Sequence, residues 1–240
     1  MLSNAPRHLH SLWLRVADLL APQDCFVCGA ESGGEAVCAT CTDSLPRRPD
    51  SACRRCGLPG LGGGSCLACQ RDPPAYDATV AVFEFTFPVD VMVHALKYRH
   101  QLAMAHFLGA ALAARGMDFG HDADLVLPMP LHPHRLAERG FNQAVELARP
   151  FVRARGLPLG LAVARKLRDL PSQAGMDRDA RLLSPRGAFA CDASLDGRRV
   201  IVIDDVMTTG ATLDALARCL KQQGASWVGN LVLARTLAPY

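Results

Sequence analysis

Two groups of residues in this 240-residue chain have the types and spacing of chemistry. The first is Val200-Ile201-Val202-Ile203-Asp204-Asp205-Val206-Met207-Thr208-Thr209-Gly210-Ala211-Thr212. The β-branched residues 200–203 read as a buried central strand, because unbroken apolarity means that both faces are covered. A pair of carboxylates then stands at its end, where burial without partners is costly. A turn rich in threonine follows and runs into a helix. Gly210 lets a ligand approach the backbone closely. The hydroxyls of Thr208, Thr209 and Thr212, with the N–H groups at the helix start, can converge on one anion. Carboxylates for sugar hydroxyls beside a cradle for phosphate describe a ribose 5-phosphate site. The plainer alternative is a strand and an N-capped helix with incidental acids.

The second group is cysteine. Eight of the ten cysteines fall in Cys-x-x-Cys pairs: Cys25/Cys28, Cys38/Cys41, Cys53/Cys56 and Cys66/Cys69. Moving Cys25 onto Cys53 lays the whole first set on the second and Gly29 on Gly57, so the chain contains an internal repeat. A tetrahedral zinc site takes thiolates at about 2.3 Å, and each Cys-x-x-Cys knuckle presents a pair of sulfurs. The glycine after the second cysteine supplies a backbone turn with positive φ. The sequential reading is a structural Zn²⁺ on Cys25, Cys28, Cys38 and Cys41 and another on Cys53, Cys56, Cys66 and Cys69, about two per chain. A cross-braced pairing uses the same cysteines, and iron suits similar knuckles. Four thiolates leave no open position for catalysis. The pattern is that of metal ligation in a reducing compartment, which points to the cytoplasm rather than to a secreted disulfide scaffold. Cys219, among Leu213, Leu216 and Leu220, reads as a core thiol.

The rest of the chain must position these groups. Half of its residues are hydrophobic and a fifth charged, a composition that suits a folded soluble protein, and no apolar run approaches the roughly 20 residues of a membrane span. The net charge of +3 is unevenly spread: residues 135–199 carry 13 basic and seven acidic groups, the stretch to which an anion is drawn. Residues 1–75 are neutral, so Arg47, Arg48, Arg54, Arg55 and Arg71 form either a patch or a solvated rim. Leu9, Leu12, Trp13, Val16, Leu19 and Leu20 recur at helical spacing, without the apolar core and cleavage site of a secretory signal. This divides the chain into an amphipathic helix over 1–22, a double ribbon over 23–72 and an α/β domain over 76–240. In that last part, strands are expected at 79–85, 124–129, 159–164, 200–203 and 227–233. Helices are expected at 89–99, 102–115, 142–155 and 212–223. Such alternation argues for a mostly parallel sheet flanked by helices, with ligands beyond the carboxyl ends of its strands.

Residues 200–212 resemble, at every position, the phosphoribosyl pyrophosphate (PRPP) motif of type I phosphoribosyltransferases. The resemblance implies that fold. It implies too that Asp204 and Asp205 hold ribose hydroxyls while Met207, Thr208, Thr209, Gly210, Ala211 and Thr212 hold the 5′-phosphate, with Mg²⁺ accompanying PRPP. Further blocks are Ala95-Leu96-Lys97-Tyr98-Arg99, Pro128-Met129-Pro130-Leu131-His132-Pro133-His134-Arg135, Arg139-Gly140-Phe141-Asn142-Gln143-Ala144 and Pro171-Ser172-Gln173-Ala174-Gly175. With the cysteine ribbon, they resemble the bacterial ComF family over nearly the whole chain. That family joins such a ribbon to a phosphoribosyltransferase-like domain, and its members are linked to DNA uptake in natural transformation or, in a related branch, to gluconate utilisation.

Roles follow as expectations. Arg135 and Arg139 are candidates for pyrophosphate, since guanidinium offers paired bonds to phosphate oxygens. Arg135 also joins Asp204 and Asp205 as a catalytic candidate if transfer occurs. His132 and His134 shape a loop or act as bases. Gln173, Arg178 and Arg181 belong to a loop over the site, or only pair with Asp169, Asp177 and Asp179. Lys97 and Arg99 are ligand candidates or helix-end cations. Three activities stay open: phosphoribosyl transfer in nucleotide or base salvage, PRPP sensing without catalysis, and accessory binding of single-stranded DNA beside DNA-uptake proteins. The basic stretch holds only Phe141, Phe151 and Phe189 as stacking aromatics, and no acceptor-base pocket is readable.

Overall fold

The computed structural model of the chain describes residues 24–60, 64–98, 102–168 and 187–237. The helix expected over 1–22, Arg99, and Gln173, Arg178 and Arg181 with most of their loop lie outside these residues. By compactness the chain divides after Leu45. The repeat unit of the cysteines and the compact unit are therefore different things, and the second cysteine set is compact with the α/β body.

The unit before Pro46 contains the first cysteine set and a short helix α1 (Ala39–Asp43). The unit from Pro46 onward begins with α2 (Leu67–Arg71), which follows the third knuckle. It continues as β1 (Ala78–Glu84), α3 (Val89–Tyr98), α4 (Leu102–Gly116), β2 (Leu125–Pro128), α5 (Pro133–Arg139) and α6 (Gln143–Arg155). Then come β3 (Ala164–Lys166), β4 (Phe189–Cys191), β5 (Arg199–Met207), α7 (Ala211–Gln222) and β6 (Trp227–Arg235).

The sheet has the order β1-β6-β5-β2 and every pairing in it is parallel. Val200, Ile201, Val202 and Ile203 in β5 and Val228 and Leu231 in β6 are fully buried, which is why these strands are apolar on both faces. Fully burying each such side chain contributes about 1.5–3 kcal/mol. The free edge of β1 is covered by the chain leaving the first unit: Arg48 N–H donates to Val82 O (2.9 Å) and Glu84 N–H to Pro46 O (2.8 Å).

The structure corrects the expected elements at four places. The 159–164 strand is reduced to a single parallel bridge, Leu159 with Val126, and the chain instead forms β3, antiparallel to β4. β5 does not stop at Ile203 but continues to Met207, because β6 offers pairing partners as far as Arg235. β6 accordingly runs beyond the expected 233. The segment after Pro130 is not a plain loop: Pro133 opens α5, its missing N–H costing nothing in a first helical turn.

Candidate functional site

β5 and α7 meet at the threonine turn. Gly210 is the N-cap of α7 with φ +86°, a conformation that L side chains avoid. A Cβ there would lie 2.7 Å from Met207 Cε and 2.9 Å from the Tyr76 hydroxyl. Thr209 Oγ1 accepts from Ala211 N–H (3.3 Å), and Thr208 and Thr209 are exposed. The turn encloses a shallow depression of about 40 Å³ lined by Asp204 and by Val206 through Leu213. Gly210→Ala should lower stability by about 1–3 kcal/mol, the usual cost of a side chain in this conformation, and a thermal midpoint unchanged from wild type would contradict the packing described.

Asp204 and Asp205 are both buried but play different parts. Successive strand residues face opposite sides of the sheet. Asp204 faces the depression, while Asp205 Oδ2 lies 2.6 Å from Lys97 Nζ at the end of α3. Burial pushes the Asp204 carboxyl well above its usual range, helped by the neighbouring Asp205 charge. Burial acts against Asp205 too, but the Lys97 ammonium outweighs it and holds that carboxyl below its usual range. Lys97 is raised in turn, its desolvation outweighed by the carboxylates.

The basic residues are divided as well. Arg139 Nη1 donates to Gln143 Oε1 (3.1 Å), and its guanidinium lies over the Tyr98 ring, one residue from Lys97. Its charge weighs on the Lys97 ammonium, so Arg139, Lys97 and the acid pair share one region. Arg135 instead pairs with Glu138 (3.0 Å) along α5. His132 Nδ1 accepts from His134 N–H as the cap of α5, which is a loop-shaping role. Asn142 caps α6 and also donates to Met129 O (3.0 Å), tying the end of β2 to that helix.

The cysteines assemble sequentially: Cys25, Cys28, Cys38 and Cys41 in one cluster, and Cys53, Cys56, Cys66 and Cys69 in the other, each with its sulfurs within 4.8 Å of one another. Cys28 and Cys38 sulfurs are 3.8 Å apart and Cys56 and Cys66 sulfurs 3.7 Å. That is the edge of a tetrahedron with metal–sulfur bonds of about 2.3 Å, and far beyond a disulfide of about 2.05 Å. Gly29 and Gly57 both have φ +70°. Backbone N–H groups of Cys38 and Cys66 reach Cys25 and Cys53 sulfurs at 3.3 and 3.2 Å. Burial opposes the Cys25 thiolate, yet the backbone N–H groups of Cys38, Cys28 and Val27 pull the thiol down to about 6, while hydrogen bonding with Cys38 pushes Cys41 up to about 12. Thiols so crowded ionise together only around a cation, so both clusters fit structural zinc.

Residues 16–70 match the double zinc ribbon domain family, and residues 136–240 match the phosphoribosyl transferase domain family. Over 207 residues the chain is 30% identical to the DNA utilization protein YhgH of Salmonella typhi, covering 84% of this chain and 91% of that one. It is 30% identical over 210 residues to the competence protein ComFC of Bacillus subtilis, covering 84% and 85%. The chain belongs to the ComF family. A third ComF relative, competence protein F of Haemophilus influenzae, is 26% identical over 208 residues, 83% of this chain and 90% of that one.

One part of this ComF site escaped the sequence. Arg235, the last residue of β6, is 2% exposed and has no carboxylate partner among the described residues. Its Nε donates to Cys56 O (3.0 Å), and its Nη1 donates to Met207 O (3.1 Å), Thr208 O and Thr236 O (3.1 Å). A single guanidinium therefore ties the second cysteine cluster to the backbone of the threonine turn. Tyr76, between α2 and β1, packs beside Gly210, and Ala75 N–H donates to Asp214 in the first turn of α7 (2.6 Å). The available signal was a charged residue ending a strand of mostly apolar residues.

Proposed function

We propose that this ComF protein binds PRPP or a related ribose phosphate at the Asp204–Thr212 turn and serves as an accessory factor in DNA uptake. The supporting observation is the depression at the carboxyl end of β5, where Asp204, the threonine hydroxyls and the start of α7 surround one space. A 5′-phosphate would sit against residues 208–212, with ribose hydroxyls on Asp204. Arg139 and Lys97, which share a region with the acid pair, would meet the diphosphate, and Arg135 would join them from α5. Since Lys97 already neutralises Asp205, Asp204 is the carboxylate left for a hydroxyl or for a Mg²⁺ ion carried on the diphosphate. Such an ion would supply neutralisation of the phosphate charge. The competence and DNA-utilization names of the relatives support the DNA part of the reading, and the two thiol clusters suit a cytoplasmic place of action.

Calorimetric titration of Mg²⁺–PRPP tests the ligand. Saturable heat is expected from the wild type, with affinity reduced more than tenfold in Asp204→Ala. No heat from a folded wild type would remove the reading. Pyrophosphate release with a panel of bases separates transfer from sensing. Binding of single-stranded DNA that weakens steeply with salt is expected if residues 135–199 meet its backbone.

A further inference from the structure

A second cavity, of about 580 Å³, opens at the opposite end of the sheet. Ala78, Arg199 and Trp227, the first residues of β1, β5 and β6, line it. The threonine turn follows the far end of β5, roughly 25 Å away at ~3.3 Å per residue. Its other walls come from the covering segment 48–57, from Arg115 at the end of α4 and from the turn 118–122 after it. The volume is that of small-molecule sites, roughly 300–1,000 Å³.

Its chemistry is specific. Arg48, Arg115 and Arg199 line it, each steadied by a carboxylate: Glu84 at 3.1 Å, Asp50 at 2.6 Å and Asp122 at 2.9 Å. Arg48 is only 6% exposed. Nε of Arg48 and of Arg115 is buried with no hydrogen-bond partner, while Nε of Arg199 is the atom held by Asp122. Guanidinium groups gathered around one space suit a ligand that brings acceptor oxygens. Arg54 adds an exposed guanidinium with no ion pair among the described residues. Phe119 and Trp227, ring centroids 5.6 Å apart, give an aromatic wall. The carboxylates of Asp50, Asp118 and Asp122 interleave with the arginines and would repel a polyanion, so a nucleic-acid backbone is not what fits.

We propose that this cavity binds a nucleoside monophosphate. The phosphate meets the guanidinium groups, the base lies against Phe119 and Trp227, and a carboxylate accepts from an exocyclic amino group. The site is independent of the PRPP reading.

The test titrates the full chain with AMP, GMP, CMP and dTMP, following heat and tryptophan emission. Saturable binding is expected from at least one base bearing an amino group. Affinity should fall roughly tenfold or more in Arg54→Glu and in Asp118→Ala, as expected for loss of a charge-assisted contact. PRPP binding should be unchanged in both. Absence of nucleotide binding overturns the proposal, as does binding that neither substitution weakens. Displacement by PRPP, or equal affinity for inorganic phosphate, overturns it as well, since the ligand would then occupy the threonine turn or be read through phosphate alone.

Discussion

Cys66→Ser is expected to abolish PRPP binding and to expose the 204–212 backbone to hydrogen exchange, although Cys66 belongs to the zinc ribbon and not to the turn. The physical link is Arg235. It is buried, its charge is disfavoured by that burial, and among its supports are the nearby Cys56 and Cys69 sulfurs. A zinc ion on four thiolates is formally a dianion, so metal loading supplies the counter-charge that lets a guanidinium sit dry between Cys56 O and the carbonyls of Met207 and Thr208. Without the metal, the knuckle carrying Cys56 O has no reason to hold its shape, because zinc binding is itself folding free energy. Arg235 then loses an acceptor and a counter-charge together, at a cost of about 3 kcal/mol or more for a stranded buried cation. The turn relaxes, since the same guanidinium fixes its first carbonyls. Arg235→Met should reproduce the loss of binding while leaving about two zinc ions per chain. Cys38→Ser, in the compact unit before Pro46, should remove one zinc and leave PRPP affinity within about twofold, since the cysteine carbonyl that Arg235 bonds is that of Cys56 in the other cluster. Equal loss of affinity in Cys38→Ser and Cys66→Ser would refute the coupling through Arg235.

This link also shows where the sequence stops being readable. Residues 200–203 announce a central strand because burial on both faces leaves a local pattern, and the cysteine knuckles announce themselves because a metal fixes their spacing. Arg235 has neither advantage: its partners are backbone carbonyls, which carry no sequence signature, at positions up to 179 residues away. Lys97 was visible as a cation at a helix end, but its pairing with Asp205 depends on where α3 crosses the sheet. β3 and β4 were obscured for a related reason. Each is three residues long, and they pair across more than twenty intervening residues, too short and too distant for an alternation to appear. The Asp204–Asp205 pair was legible as chemistry, whereas the division of labour between its members is a consequence of the pleat and of the helix packed on one side.

That division has a pH signature, read through Lys97→Met. In the wild type, Asp205 is held below its ordinary 3.8, so its contribution to stability is present above that pH and lost as pH falls through the lower folded value. Lys97 is raised above 10.5, so its part is complete below that pH and lost only as pH rises through the folded value. Asp204 works in the opposite direction: raised by burial, it costs nothing below 3.8 and destabilises increasingly as pH climbs toward its folded value. Lys97→Met removes the charge that offsets burial at Asp205, so both carboxyls then behave as Asp204 does. The substitution should cost least at the acid end, below the lowered folded value of Asp205, and about 3 kcal/mol at neutral pH, the lower end of the range for breaking a buried pair because Lys97 remains partly exposed. Denaturant midpoints of the two proteins should therefore diverge as pH rises from 4 to 7.5, with the variant most stable at the acid end. Adding Asp205→Asn to Lys97→Met should recover most of the loss, since the stranded carboxylate is then gone. Parallel curves for wild type and Lys97→Met across this range would mean that the ammonium does not carry the Asp205 charge.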